Sequence, residues 1–240
     1  MEESFARIEK KYRLSLTQTA EMEKGLFQHG FRRMDFGSPR VQSIYYDTRD
    51  YQLIRRSLEC PVYKEKLRLR AYGEPGAITM SFVEIKKKYK GVVYKRRATA
   101  SLQEAAEGLR KGLLPESAGQ VGREAAWMGR RYGLIPTAVI AYDREAWFSE
   151  KEPDIRVTFD RNIGFRAAGF DLNAQAETLP CFEKENRLME IKTGGVYPLW
   201  LAKLIHETEG RQIHFSKYGF AYQKCISGLQ CGEREEKQNV

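Results

Sequence analysis

Residues 65–73 read EKLRLRAYG, with charged and apolar residues in strict alternation from Lys66 to Ala71. Lys66, Arg68 and Arg70 take alternate positions, with Leu67, Leu69 and Ala71 between them. A period of two belongs to a strand, whose side chains point alternately to opposite faces. Gly73 ends the run, and Glu74-Pro75-Gly76 supplies a turn. Two more strands follow at hairpin distance, AITMSFVEIKKKY (77–89) and VVYKRRATAS (92–101).

Working outward toward the N-terminus, FARIEKKYRL (5–14) reads as a strand. A helix is predicted over about 17–30, with Thr17 as N-cap and Gly30 as its stop. VQSIYYDT (41–48) is a strand and DYQLIRRSL (50–58) a short helix. Toward the C-terminus, 102–113 and 121–132 carry helical spacing and are joined by LPESAGQ. Strands are predicted at 136–149, 154–168 and 187–195. PLWLAKLIHETEG (198–210) is an amphipathic helix with Pro198 in its first turn. Strands in both halves with hairpin spacing predict an antiparallel α+β fold, its sheet closed as a β-barrel with flanking helices. Without repeat or linker, one domain is expected over 1–225, followed by a polar tail over 226–240.

Hydrophobic residues make up 42% of the 240 and aromatics 12%, enough for a substantial core. Lys and Arg number 41 against 32 acids, a net charge of +9, which favours anionic partners. No apolar run reaches the ~18 residues of a transmembrane helix, and the opening MEESFARIEKKYRL lacks a signal-peptide shape. Four scattered cysteines without a CxxC fit reduced thiols, so a cytoplasmic location is expected. Three dispersed histidines argue against a His-based metal site.

The polar faces of the strands are unusual. They carry Arg7, Glu9 and Lys11; then Lys66, Arg68 and Arg70; then Glu84, Lys86 and Lys88. Lys95 and Arg97 follow, or Arg96 if the register slips by one. Tyr142 and Arg144, then Arg156, Thr158 and Asp160, then Glu190 and Lys192 continue the pattern. One such stripe is an ordinary solvated face. Stripe upon stripe places like charges on neighbouring strands, which repel. A bound polyanion offsets that repulsion, since Arg offers forked donors to phosphate and Lys a compact charge. Glu9, Glu84 and Glu190 share faces with these cations. They either neutralise them or hold Mg²⁺ or Mn²⁺, hard ions that prefer oxygen ligands. Ser216-Lys217 is a further pair able to meet a terminal phosphate.

Together, RIEKKY (7–12), SIYYDT (43–48), KLRLRAY (66–72), VEIKKK (83–88), AYDREAW (141–147), IRVTFDRNI (155–163), LMEIKTGGVYPLWL (188–201) and FSKYGFA (215–221) resemble the triphosphate tunnel superfamily. The nearest branch is the VTC domain, the polyphosphate polymerase domain named for the vacuolar transporter chaperone. The CYTH branch typically opens ExExK. The matching positions here are Arg7, Glu9 and Lys11, a departure that argues against a CYTH-type triphosphatase or cyclase.

The resemblance implies a tunnel that binds triphosphate along its axis, and transfer of the terminal phosphoryl group of ATP onto polyphosphate. By motif position, Lys11, Arg68, Arg70, Lys86, Lys95, Arg144 and Arg156 would hold phosphates, with Tyr142 in support. Glu190 would bind the divalent metal, and Lys192, Ser216 and Lys217 would act near the reacting end. The alternatives are a metal-dependent tripolyphosphatase or nucleoside triphosphatase, and a non-catalytic binder of polyphosphate or inositol phosphates. Nucleic acid is disfavoured, because a nucleic-acid surface usually pairs exposed basic residues with stacking aromatics on an open face, whereas matched Arg/Lys rows suit a narrow tunnel. A membrane-protein partner is left open.

Overall fold

The alternation at 65–73 forms a strand with Leu67, Leu69 and Ala71 at no more than 1% exposure, while Lys66 and Arg68 on the other face stay half-buried. Burying each such leucine contributes about 1.5–3 kcal/mol, which pins the register. The computed structural model describes residues 8–35, 39–90 and 92–223. In chain order the elements are β1 (Ile8–Ser15), α1 (Leu16–Gln28), β2 (Arg32–Arg33), β3 (Arg40–Asp47), α2 (Gln52–Leu58), β4 (Tyr63–Tyr72), β5 (Met80–Tyr89), β6 (Val92–Ser101) and α3 (Leu102–Lys111). They continue with α4 (Gly119–Tyr132), β7 (Ile135–Phe148), β8 (Arg156–Arg166), β9 (Leu179–Pro180), β10 (Asn186–Thr193), α5 (Leu199–Glu207), β11 (Arg211–Ile213) and α6 (Lys217–Ala221).

The chain divides into two compact units. The first comprises Met1–Arg40, Tyr142–Ile163 and Phe182–Phe215. Its strands run in the order β11-β1-β10-β8-β7, with β2 paired to β7. β1 is antiparallel to both β10 and β11, and β10 to β8. Tyr12, Leu14, Val157, Phe159, Met189 and Ile191 leave the sheet on one face and pack against Met22 and Leu26 of α1 and Leu201 of α5. The second unit comprises Val41–Ala141, Gly164–Cys181 and Ser216–Val240. There the order is β7-β3-β4-β5-β6, antiparallel from β3 to β6, with β9 paired to β8. Leu67, Leu69, Val83, Ile85 and Ala98 face Ala105 and Leu109 of α3 and Ala125 and Met128 of α4. In each unit the apolar face is thus covered by helices, and the charged face is opposite.

The α+β class and the antiparallel pairing are as expected. Among the described residues β11 and β6 each have a single strand neighbour, so strand pairing does not by itself close the sheet. A ring would need a second neighbour for each, and β11 is only three residues long.

Local signals account for the remaining differences. The N-cap of α1 is Ser15, not Thr17. Ser15 Oγ accepts from Gln18 N at 3.2 Å and Gln18 Oε1 accepts from Ser15 N at 2.8 Å, a reciprocal box that no contact of Thr17 matches. Gly30, at φ +81°, does follow the helix end. Pro198 is the N-cap of α5 instead of a first-turn residue. The helix α6 and the short strands β2, β9 and β11 were not anticipated. Arg7, Cys225, Cys231 and the tail over 226–240 lie outside the described residues. Among the described residues no helix is long and apolar enough to cross a membrane.

Candidate functional site

In the second unit, strand pairing lays the basic rows side by side. Lys66 of β4 lies opposite Lys86 of β5, and Lys86 opposite Lys95 of β6. One step along, Arg68 lies opposite Glu84, and Glu84 opposite Arg97. Glu84 is 2% exposed. Its carboxylate meets Arg68 Nε at 2.7 Å, Lys95 Nζ at 2.9 Å and Arg70 Nη1 at 3.9 Å. Burial alone would push this acid up, but the charges of Arg68, Arg70 and Lys95 bring it down to about 2. Glu84 therefore serves as an internal counter-ion. Arg96, the alternative in the register question, instead pairs with Glu124 of α4 on the helix-covered face, which places Lys95 on the site face.

Two neighbours complete this cluster. Arg68 Nη1 donates to Tyr45 Oη at 2.9 Å, and Arg70 Nε donates to Ser43 Oγ at 3.3 Å. Burial would raise the Tyr45 phenol, yet Arg68, Arg70 and Lys66 bring it down to about 8. Lys66 Nζ donates to Ser216 Oγ at 3.4 Å, which joins the Ser216-Lys217 turn to the basic row. Ser216 also caps α6 by accepting from Gly219 N.

The first unit carries a second cluster. Lys11 lies opposite Glu190, and Glu9 opposite Lys192, across β1 and β10. Arg144 binds both oxygens of Asp160, at 2.6 and 2.7 Å, and donates to Glu190 Oε2 at 3.2 Å. Lys192 Nζ is 3.7 Å from Glu190 Oε1, and Lys11 Nζ is 3.1 Å from Glu9 Oε1. Burial would raise Glu190, but a hydrogen bond shared with Glu9 and the charges of Lys192, Arg144 and Lys11 hold it well below the usual carboxylate range. Arg144 lies over the ring of Tyr142 at 5.2 Å. Arg156 lies opposite Lys192 and is exposed.

The sequence-derived residues thus gather in two clusters, one per unit. Arg68, Arg70, Lys86, Lys95, Ser216 and Lys217 belong to the second unit; Lys11, Tyr142, Arg144, Arg156, Glu190 and Lys192 belong to the first. Asp160 and Tyr45 were missed as site residues. Asp160 stood in the right stripe, two positions after Thr158, so its spacing was the available signal. Tyr45 gave no such signal, because Ile44-Tyr45-Tyr46 reads as plain strand.

Among the described residues no group of three or more His, Cys, Asp or Glu side chains is placed to hold a metal ion by itself. Glu190 beside Glu9 still fits Mg²⁺ or Mn²⁺ chemistry. Mg²⁺ is commonly held by one or two carboxylates, with substrate phosphates and water completing its shell.

No curated protein matches the chain significantly. Solved structures give distant likenesses, among them the following. A Vibrio parahaemolyticus protein described as a candidate adenylate cyclase shares 12% identity at a TM-score of 0.46, covering 89% of this chain and 96% of its own. A protein from Pyrococcus horikoshii OT3 shares 14% identity at a TM-score of 0.46, covering 91% and 99%. A chain of the Schizosaccharomyces pombe Mediator head module shares 10% identity at a TM-score of 0.43, covering 85% and 90%. Likeness at this level leaves the assignment resting on the sequence. There, the family model described as the VTC domain matches residues 6–226, from the first stripe through α6, and the chain belongs to that family.

Proposed function

We propose that the protein moves the terminal phosphoryl group of ATP onto a polyphosphate chain. The observation that carries this reading is the row Lys66–Lys86–Lys95, three amines brought into register on three adjacent strands. Glu84 offsets part of the repulsion within this row through Lys95, and a polyanion would offset more of it. Membership of the VTC domain family supports phosphoryl transfer on a polyphosphorylated anion.

In the transfer, a terminal phosphate oxygen of the acceptor chain forms a bond to the γ-phosphorus of ATP. The bond from that phosphorus to the β–γ bridging oxygen breaks, and ADP leaves. Such a reaction needs in-line positioning and charge stabilisation more than a covalent catalyst. Arg68, Arg70, Lys86 and Lys95 would hold phosphoryl groups in the second unit. Lys11, Arg144 and Arg156 would do so in the first, with Tyr142 backing Arg144. Lys192 in the first unit, and Ser216 and Lys217 in the second, would neutralise charge on the phosphate oxygens that each meets. A divalent ion held by Glu190 would supply further charge neutralisation on phosphate oxygens. Glu84 and Asp160 would keep the arginines aimed.

The test is incubation of the protein with ATP and Mg²⁺, with products resolved by phosphorus NMR. A growing mid-chain phosphate signal together with ADP is the expected result. Orthophosphate as the sole new product would replace this reading with hydrolysis. Tight tripolyphosphate binding without turnover would replace it with a binding module.

A further inference from the structure

The motifs SIYYDT and FSKYGFA leave Tyr45, Asp47 and Tyr218 without a part in phosphate contact. All three are buried in the second unit, Asp47 completely. Asp47 Oδ1 accepts from the backbone N–H groups of Thr48 and Leu53, each at 2.8 Å. Its Oδ2 accepts from Ile54 N at 3.0 Å and from Tyr218 Oη at 3.1 Å. Tyr218 Oη also lies 2.9 Å from Thr137 Oγ1 of β7. The Tyr218 ring stacks on Tyr45 with centroids 4.6 Å apart, and Tyr45 Oη takes the hydrogen bond of Arg68.

This network has a consequence for α6. A five-residue helix does not hold itself together, because the cost of nucleating it exceeds what so few hydrogen bonds return. The positions of Ser216 and Lys217 therefore depend on what anchors the next residue, Tyr218. A phenylalanine at 218 would fill the same space and keep the stack on Tyr45. What the hydroxyl adds is a fixed direction, set by a buried carboxylate that three backbone amides already lock in place. Burial and the neighbouring Asp47 carboxylate push the Tyr218 phenol well up, so it keeps its proton and stays a donor.

We propose that Asp47 and Tyr218 are positioning residues, whose hydrogen bond aims the Ser216-Lys217 turn at the bound phosphate while the Tyr45 stack ties that turn to Arg68. The inference rests on the reading of Lys217 as a phosphate contact. It assigns the buried tyrosine and aspartate of the two motifs a shared task.

The experiment is a double-mutant cycle on tripolyphosphate affinity, measured by calorimetry with the full chain. Tyr218→Phe is the chosen partner because it keeps the ring. In the wild-type background, Lys217→Ala is expected to weaken tripolyphosphate binding by about tenfold, the loss of one charge-assisted contact. In the Tyr218→Phe background the same change is expected to cost less than about threefold, since the amine is no longer aimed. Equal costs in the two backgrounds would overturn the inference and leave Tyr218 as packing alone. No cost of Lys217→Ala in the wild-type background would instead remove Lys217 from the phosphate site, and the inference with it. Failure of the wild-type protein to bind tripolyphosphate at all would overturn the proposed function itself.

Discussion

Glu84 shows how a single carboxylate can hold a basic row together. Three cations surround it at 2% exposure, and its pKa falls from the ordinary 4.5 to about 2. A group depressed in the folded state contributes stability that is complete above its unfolded pKa and lost as pH falls toward its folded one. At about 1.36 kcal/mol per unit, the contribution is roughly 3 kcal/mol. Urea midpoints are expected to drop between about pH 4.5 and about pH 2 in the wild-type protein, and less steeply in Glu84→Gln. Parallel pH profiles for the two proteins would show that Glu84 is not the counter-ion. Glu190 makes a different case, because its carboxylate sits beside Glu9 and is proposed to reach a metal. Glu190→Gln is expected to abolish metal-dependent turnover while the circular dichroism spectrum of the folded protein stays that of the wild type. Normal activity in that variant would remove Glu190 from the site.

At the scale of elements, what could be read from the sequence followed burial. The strands at 65–73, 77–89 and 187–195 were legible because one face must reach the core, and Leu67, Val83 and Met189 have no other place to go. The stripe faces came with them, since a strand that buries its odd positions presents its even ones. The cap of α1 was legible but misread: Ser15 and Gln18 form the S-x-x-Q pattern, and Thr17 drew attention from it. Ser15→Ala is expected to lower stability by about 1 kcal/mol, as measured by denaturant unfolding, while Thr17→Ala costs little. The reverse order would return the cap to Thr17. The elements that escaped are those without a local signal. β2 and β9 are two residues each, and α6 is held by Asp47, 171 positions away from Tyr218. Tyr45 belongs to the same class, because its role comes from Arg68 on another strand rather than from its neighbours in sequence. Whether the sheet closes depended likewise on edge pairing, which alternation does not encode.

For the whole molecule, the surplus of cations bears on the ligand more than on the fold. A net charge of +9 raises the local concentration of anions around the protein. Contacts at half-buried stripes are screened by salt, and the screening length falls from roughly 10 Å at about 0.1 M to roughly 3 Å at about 1 M. Tripolyphosphate affinity is expected to weaken several-fold over that range, whereas an affinity indifferent to salt would mean that the contacts are not ionic. The basic rows are proposed to grip a polyphosphorylated ligand, and calorimetric titration with tripolyphosphate shows whether they do. Wild-type protein is expected to bind saturably. Arg68→Ala, which leaves Glu84 paired with Arg70 and Lys95, is expected to lose about 1.5–3 kcal/mol of that affinity. No saturable binding, or equal affinity in the two proteins, would contradict it.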